Sequence, residues 1–148
     1  MNRVDEEIAL LRRHLGQRMP VHHGAKTVGG VRYHGVIIEN VGLNRQKFPV
    51  TKTKLLLLLP PDYPETPPIG FYVDFPWAAD DHHFTQMSYY GAPDLRSEGK
   101  GGYYWYCGGL GGGFSPQDWK YGWRPGRRAT EGHNLMTLFV SAQVTLNT

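Results

Sequence analysis

Cysteine is almost missing from this chain: Cys107 is the only one among 148 residues. A lone cysteine forms no internal disulfide, and the composition therefore favours a reducing, cytosolic setting. It also leaves no Cys-x-x-Cys half-site for zinc. The paired histidines, His22-His23 and His82-His83, are adjacent residues that point to opposite faces if they lie on a strand. The sequence therefore predicts no metal site.

Long apolar runs and a strong charge excess are missing as well. No window of about eighteen apolar residues exists, which excludes a membrane-spanning helix. The first residues lack the apolar centre of a secretion signal. The formal net charge is only +3 and the cations are spread along the chain, whereas nucleic-acid binders cluster them. We expect a cytoplasmic globular protein with no membrane or nucleic-acid partner.

The start of the chain predicts an amphipathic helix over residues 3–15. Acidic side chains stand near its beginning and basic ones near its end, which complements the helix dipole. Gly16 is a plausible stop. The apolar positions recur at helical spacing and are Val4, Ile8, Leu11 and Leu15.

The next part of the chain predicts an antiparallel meander of about four strands. The expected strands are residues 21–27, 31–41, 48–59 and 69–74. The second half of the third is uniformly apolar, as expected of a strand that is covered on both faces.

Residues 75–131 lose regular periodicity but hold most of the aromatic residues and eleven of the nineteen glycines. Such a density of Trp and Tyr favours an ordered, irregular loop over disorder. Asn134 then caps a second helix. The sequence predicts a single α+β domain over residues 1–148.

The link between the third and fourth strands is rich in proline. Residues 60–68 read Pro-Pro-Asp-Tyr-Pro-Glu-Thr-Pro-Pro, and we call this segment the proline corner. Proline lacks the amide proton that a sheet interior needs, so the preceding strand ends near Leu59. Tyr63, Pro64, Pro67 and Pro68 are interpreted as structural residues.

These features resemble the ubiquitin-conjugating enzymes. Residues 55–71, Leu-Leu-Leu-Leu-Leu-Pro-Pro-Asp-Tyr-Pro-Glu-Thr-Pro-Pro-Ile-Gly-Phe, are similar to that family's apolar strand, Tyr-Pro turn and following strand. Trp123-Arg124-Pro125, after the cysteine and before a helix, resembles the family's Trp-x-Pro. The resemblance implies a ubiquitin-conjugating fold with an N-terminal helix, a four-stranded meander, a long active-site loop and a C-terminal helix.

The chain departs from the family at one motif. It has no His-Pro-Asn triplet before the cysteine, and Asp81-His82-His83-Phe84 stands in that region. This mixture looks more like the divergent bacterial branches, in particular the prokaryotic family E type. The resemblance to such branches implies a place in bacterial antiviral defence.

Cys107 is the candidate nucleophile that the resemblance implies. The enzyme would be an acyltransferase that accepts a modifier as a thioester, and thiolate is the reactive form. Gly108 and Gly109 leave the backbone open for the approach of a partner's tail. The alternative is a buried core cysteine.

His82 and His83 are the other candidate catalytic residues. Either imidazole would donate a hydrogen bond to an oxyanion or act as a general base for the attacking amine. The alternative is a pair that holds the loop to itself. Trp105 and the tyrosines beside it either clamp a tail or fill the underside of the loop. Trp123 either packs under the second helix or contacts a partner.

The partners implied are a ubiquitin-like protein, an adenylating (activating) enzyme and a target protein. Arg12 and Arg13 on the first helix would meet the activating enzyme, and solvent exposure is the alternative. No cofactor is expected, since the activating enzyme consumes the ATP. Two other functions stay open: a non-catalytic module that binds ubiquitin folds, and an aromatic-rich single-strand nucleic-acid binder.

Overall fold

The computed structural model of the protein describes residues 2–44, 46, 48–75, 93, 95, 102–107, 119 and 122–147, with the backbone alone at Cys107. Its elements are, in chain order, α1 (Arg3–Leu15), a 3-10 turn (Gly16–Arg18), β1 (Val21–Val28), β2 (Val31–Gly42), β3 (Lys52–Leu59), β4 (Gly70–Val73), β5 (Tyr104–Cys107) and α2 (Leu135–Leu146). The structure is therefore α+β, as the sequence predicts.

Helix α1 has the predicted bounds. At its start, the Asn2 side chain accepts a hydrogen bond of 2.9 Å from the backbone N–H of Asp5. At its end, Gly16 has a φ of 64°, a left-handed conformation that favours glycine. The buried residues are Val4, Glu7, Ile8, Leu11 and Leu15, so the apolar stripe faces the core and one carboxylate lies within it.

The five strands form one antiparallel sheet in the order β1-β2-β3-β4-β5. Gly29 and Gly30, both with positive φ, form the two-residue turn between β1 and β2. The prediction of four strands is wrong, because β5 lies within residues 75–131, which the sequence predicts to be an irregular loop.

Two physical reasons explain the missed strand. Strand β5 has four residues, three of them aromatic, so no polar alternation marks it. Its pairing with β4 is long-range and leaves no local turn signal. The third strand also starts later than predicted, at Lys52, while Phe48 is a core residue whose ring contacts Phe75 edge-on at 5.3 Å between centroids.

Strand β3 is covered on both faces, which confirms the interpretation of its apolar run. Leu55, Leu57 and Leu59 join the main core with residues of both helices. Leu56 and Leu58 join a second cluster on the opposite face, with Tyr72, Leu95 and Trp105. Both helices therefore lie on the same face of the sheet.

Helix α2 begins at a capping box, as its N-terminal asparagine predicts. The Asn134 side chain accepts from the Thr137 N–H, and the Thr137 hydroxyl accepts from the Asn134 N–H. Trp119, which the sequence analysis did not single out, is fully buried against this helix and donates a hydrogen bond of 3.0 Å to Ser141 Oγ.

Candidate functional site

The proline corner is a turn held by its own hydrogen bonds. The N–H of Tyr63 donates to the carbonyl of Pro60 at 3.0 Å, and the Thr66 hydroxyl donates to the Asp62 carboxylate at 2.6 Å. The Tyr63–Pro64 peptide bond is cis. These bonds stabilise the turn and leave the Pro64 carbonyl available to the rest of the chain.

Trp123 attaches the corner to the segment before α2. Its indole Nε1 donates a hydrogen bond of 2.6 Å to the Pro64 carbonyl oxygen, and its ring lies 6.0 Å from the ring of Tyr63. Trp123 is only 4% exposed. We therefore assign Trp123 a packing role, and little of its surface is available to a partner.

Glu7 attaches the corner to both helices. Its buried carboxylate accepts hydrogen bonds from the Tyr63 hydroxyl at 2.6 Å, the Leu135 N–H at 2.7 Å and Arg3 Nε at 2.6 Å. Leu135 is the first residue of α2, where the helix dipole favours a negative charge. Burial, and then the Glu7 charge, raise the pKa of Tyr63 well above its ordinary value, so the hydroxyl stays protonated.

Sequence reasoning did not find Glu7, although one signal pointed to it. Glu7 falls within the apolar stripe of α1, between Val4 and Leu11, and a carboxylate at such a position needs buried partners. The partners themselves lie 56 and 128 residues away, at Tyr63 and Leu135, which no local pattern reveals.

Strand β5 brings the cysteine to the corner. The backbone of Cys107 pairs with Gly70, the first residue of β4, which lies two residues after the end of the corner. The backbone of the candidate nucleophile therefore lies next to the strand that leaves the corner.

Gly70 is required at this position by close packing. A Cβ there would meet Trp105 Nε1 at 2.5 Å and the carbonyl oxygen of Tyr106 even closer. Trp105 is fully buried and lies across β4 at this point. Any side chain at position 70 would therefore force a shift in the backbone at Tyr106, in the Trp105 side chain or in β4 itself.

An apolar groove of about 190 Å³ lies beside the corner. We call it the corner groove. Its walls include Pro67, Pro68, Ile69 and Tyr33. Gly70 both lines this groove and pairs with Cys107, so the groove lies beside the Cys107 backbone in the sheet. Trp105 stands behind the groove wall, and its complete burial favours the filling role over that of a clamp on a tail.

Two of the other predicted site residues, Arg12 and Arg13, lie on α1. Arg12 donates two hydrogen bonds to the carbonyl of Val21, at 3.1 and 2.8 Å, and so ties α1 to β1. Arg13 is exposed on α1. His82, His83, Gly108 and Gly109 lie outside the described residues.

No group of three or more His, Cys, Asp or Glu side chains among the described residues could hold a metal ion. No helix in that part of the chain combines the length and apolarity needed to cross a bilayer. Comparison with protein-family models, curated proteins and solved structures finds no match to this chain.

Proposed function

We propose that this protein is a conjugating enzyme for a ubiquitin-like modifier, with Cys107 as its nucleophile. The observation that supports this most is the hydrogen bond from Trp123 to the Pro64 carbonyl. It joins the two segments of sequence that resemble the family. The pairing of Cys107 with Gly70 supports the proposal as well, because it sets the backbone of the candidate nucleophile beside the same corner.

The reaction has two steps. The Cys107 thiolate attacks the carbonyl carbon of the modifier's thioester on an activating enzyme, and that enzyme's cysteine leaves as a thiolate. An amine of the target, such as a lysine, then attacks the new thioester; Cys107 leaves as a thiolate and the amine loses a proton. Exchange between two thioesters is nearly isoenergetic, so modest activation of Cys107 suffices.

The corner groove gives the modifier's tail a binding surface. Its apolar walls suit the extended segment that precedes a modifier's terminal carboxyl group, and Gly70 in its lining, which pairs with Cys107, would bring that carboxyl near position 107. Ile69, which is 40% exposed, offers a contact at the groove rim. His82 and His83 are proposed to stabilise the oxyanion or accept the amine proton in the second step.

Reconstitution with a ubiquitin-like protein, an activating enzyme and ATP tests this proposal. On a non-reducing gel, wild-type protein should form an adduct that disappears with a thiol reductant, and Cys107→Ala should form none. A double variant, His82→Ala/His83→Ala, should load normally but discharge to free lysine more slowly. A wild-type protein that never forms a reducible adduct would contradict the proposal.

A non-catalytic module that binds ubiquitin folds is the second candidate, and the missing His-Pro-Asn triplet favours it. This candidate predicts that the modifier binds wild-type protein and Cys107→Ala with equal affinity. It also predicts that no covalent adduct forms under any condition. The same reconstitution therefore separates the two candidates.

A further inference from the structure

A second groove, of about 500 Å³, lies between the end of α1 and the outer side of α2. We call it the basic groove. Its apolar lining is Leu15, Met19, Met136, Phe139 and Val140, and its polar lining is His14, Arg18, Asn40, Gly42, Lys52 and Gln143. The residues that line it are all different from those of the corner groove.

The charged side chains among the described residues that line this groove have one sign. His14, Arg18 and Lys52 are exposed basic residues, and none of the described residues that line the groove is acidic. Within the part of the chain that the structure describes, no ion pair engages the side chains of these three residues. The groove therefore presents basic residues over an apolar floor, and the described residues supply no counter-ion for them.

The wall formed by β2 has a fixed, irregular shape. The pairing of β2 with β3 shifts register between Ile38 and Val41, and Asn40 within this bulge has a φ of 60°. The Asn40 side chain donates a hydrogen bond of 3.3 Å to the Arg18 carbonyl. Bulges of this kind re-aim side chains at functional surfaces. Here the bulge holds the turn that carries Arg18 against the sheet.

Helix α2 continues the apolar floor to the surface. Met136, Val140 and Val144 follow one another at intervals of four residues, on one side of the helix. Val140 is 44% exposed and Val144 is 53% exposed. Val140 lines the groove as well, so the stripe and the groove form one surface.

We propose that the basic groove docks an acidic segment of a partner protein that carries apolar side chains at helical spacing. The partner's apolar residues would cover Met136 and Val140, and its carboxylates would face Arg18 and Lys52. Charge complementarity selects this occupant, because these exposed cations would repel a basic segment and would give a purely apolar segment no electrostatic attraction.

The groove is remote from the cysteine. Strand β3 begins at Lys52, which lines the basic groove, and ends at Leu59, next to the proline corner. At the usual rise per residue the basic groove and the proline corner are therefore about 23 Å apart. A docked segment would leave the corner groove open. The inference therefore holds whether or not Cys107 forms thioesters.

The test uses a fluorescent synthetic peptide of about 14 residues, with leucines at i, i+3, i+4 and i+7 and glutamates elsewhere. Anisotropy should show binding to the full chain that weakens as salt rises. Methyl signals of Met136 and Val140 should shift in NMR spectra of the complex. A matched peptide with lysine in place of glutamate, and one with serine in place of leucine, should bind far more weakly.

Charge reversal locates the site. Arg18→Glu/Lys52→Glu should weaken binding about tenfold. The control Arg127→Glu/Arg128→Glu changes the net charge equally, at exposed residues outside the groove, and should leave the affinity within about twofold. Val140→Ser should also weaken binding. Absence of binding, equal loss in both charge variants, or methyl shifts confined to other residues would each overturn the inference.

Discussion

The indole Nε1 of Trp123 donates a hydrogen bond of 2.6 Å to the carbonyl oxygen of Pro64. The two residues are 59 positions apart, in the two segments of sequence on which the proposed function rests. The bond therefore makes the proline corner and the segment before α2 one structural unit. The Glu7 carboxylate extends that unit to α1 and to the start of α2.

Trp123→Phe should lower the free energy of unfolding by about 2 kcal/mol, because the Pro64 carbonyl loses its donor in a mostly buried setting. Urea unfolding measures the loss. Since Trp123 is a packing residue, the folded variant should bind a modifier with wild-type affinity. A stable variant that has lost that affinity would show instead that Trp123 contacts the partner.

Tyr63→Phe should lower the free energy of unfolding by about 1–3 kcal/mol, because the buried Glu7 carboxylate loses one of its three donors. The matched control is Tyr33→Phe, since among the described residues nothing hydrogen-bonds the Tyr33 hydroxyl. That control should cost no more than about 0.5 kcal/mol. Equal losses in chemical denaturation of the two variants would contradict the role given to Glu7.

Gly70→Ala should destabilise the protein by about 2 kcal/mol or more, because its Cβ would overlap Trp105 and the Tyr106 carbonyl. Gly24→Ala is the control. Gly24 also lies on a strand, and a Cβ there has nothing within 4 Å. Thermal unfolding compares the two. If both variants melt together with wild type, the close contact between β4 and β5 is not as described.

The stability of the protein should depend on pH through His34. Burial, followed by the nearby charges of His23 and Arg32, lowers the pKa of His34, while Asp5 opposes the shift. The His34 imidazole therefore binds a proton more tightly in the unfolded chain than in the folded protein. The contribution of His34 to stability is therefore complete above its ordinary pKa of about 6.5 and decreases as the pH falls below that value.

His34→Gln removes this titration. Urea unfolding at about pH 5 and about pH 7.5 should show a smaller loss of stability on acidification for the variant than for wild type. An identical pH dependence in the two proteins would contradict the assignment.

The elements that the sequence predicted well are those whose signals are local. Helix α1 has an apolar stripe, a favourable charge order and a terminal glycine, and its bounds matched. Helix α2 has Asn134 as its cap. The leucine run of β3 required cover on both faces, and both clusters supply it.

The features that were missed depend on distant partners. Strand β5 pairs with β4 across more than thirty residues of sequence, and its aromatic residues on both faces conceal the period of two. The bonds of Glu7 to Tyr63 and Leu135 exist only after the chain has folded. Of the candidate site, the sequence singles out the cysteine and the corner as candidates, but neither their pairing through Gly70 nor the corner groove can be predicted from it.

Intact-protein mass spectrometry after incubation with a ubiquitin-like protein, its activating enzyme and ATP tests the central claim most directly. Wild-type protein should gain the mass of the modifier less one water, and a thiol reductant should remove it. Cys107→Ala should gain nothing, and Cys107→Ser should carry an ester that resists the reductant. An adduct of equal yield on Cys107→Ala, or wild-type protein that stays unmodified while the activating enzyme is charged, would contradict a thioester at Cys107.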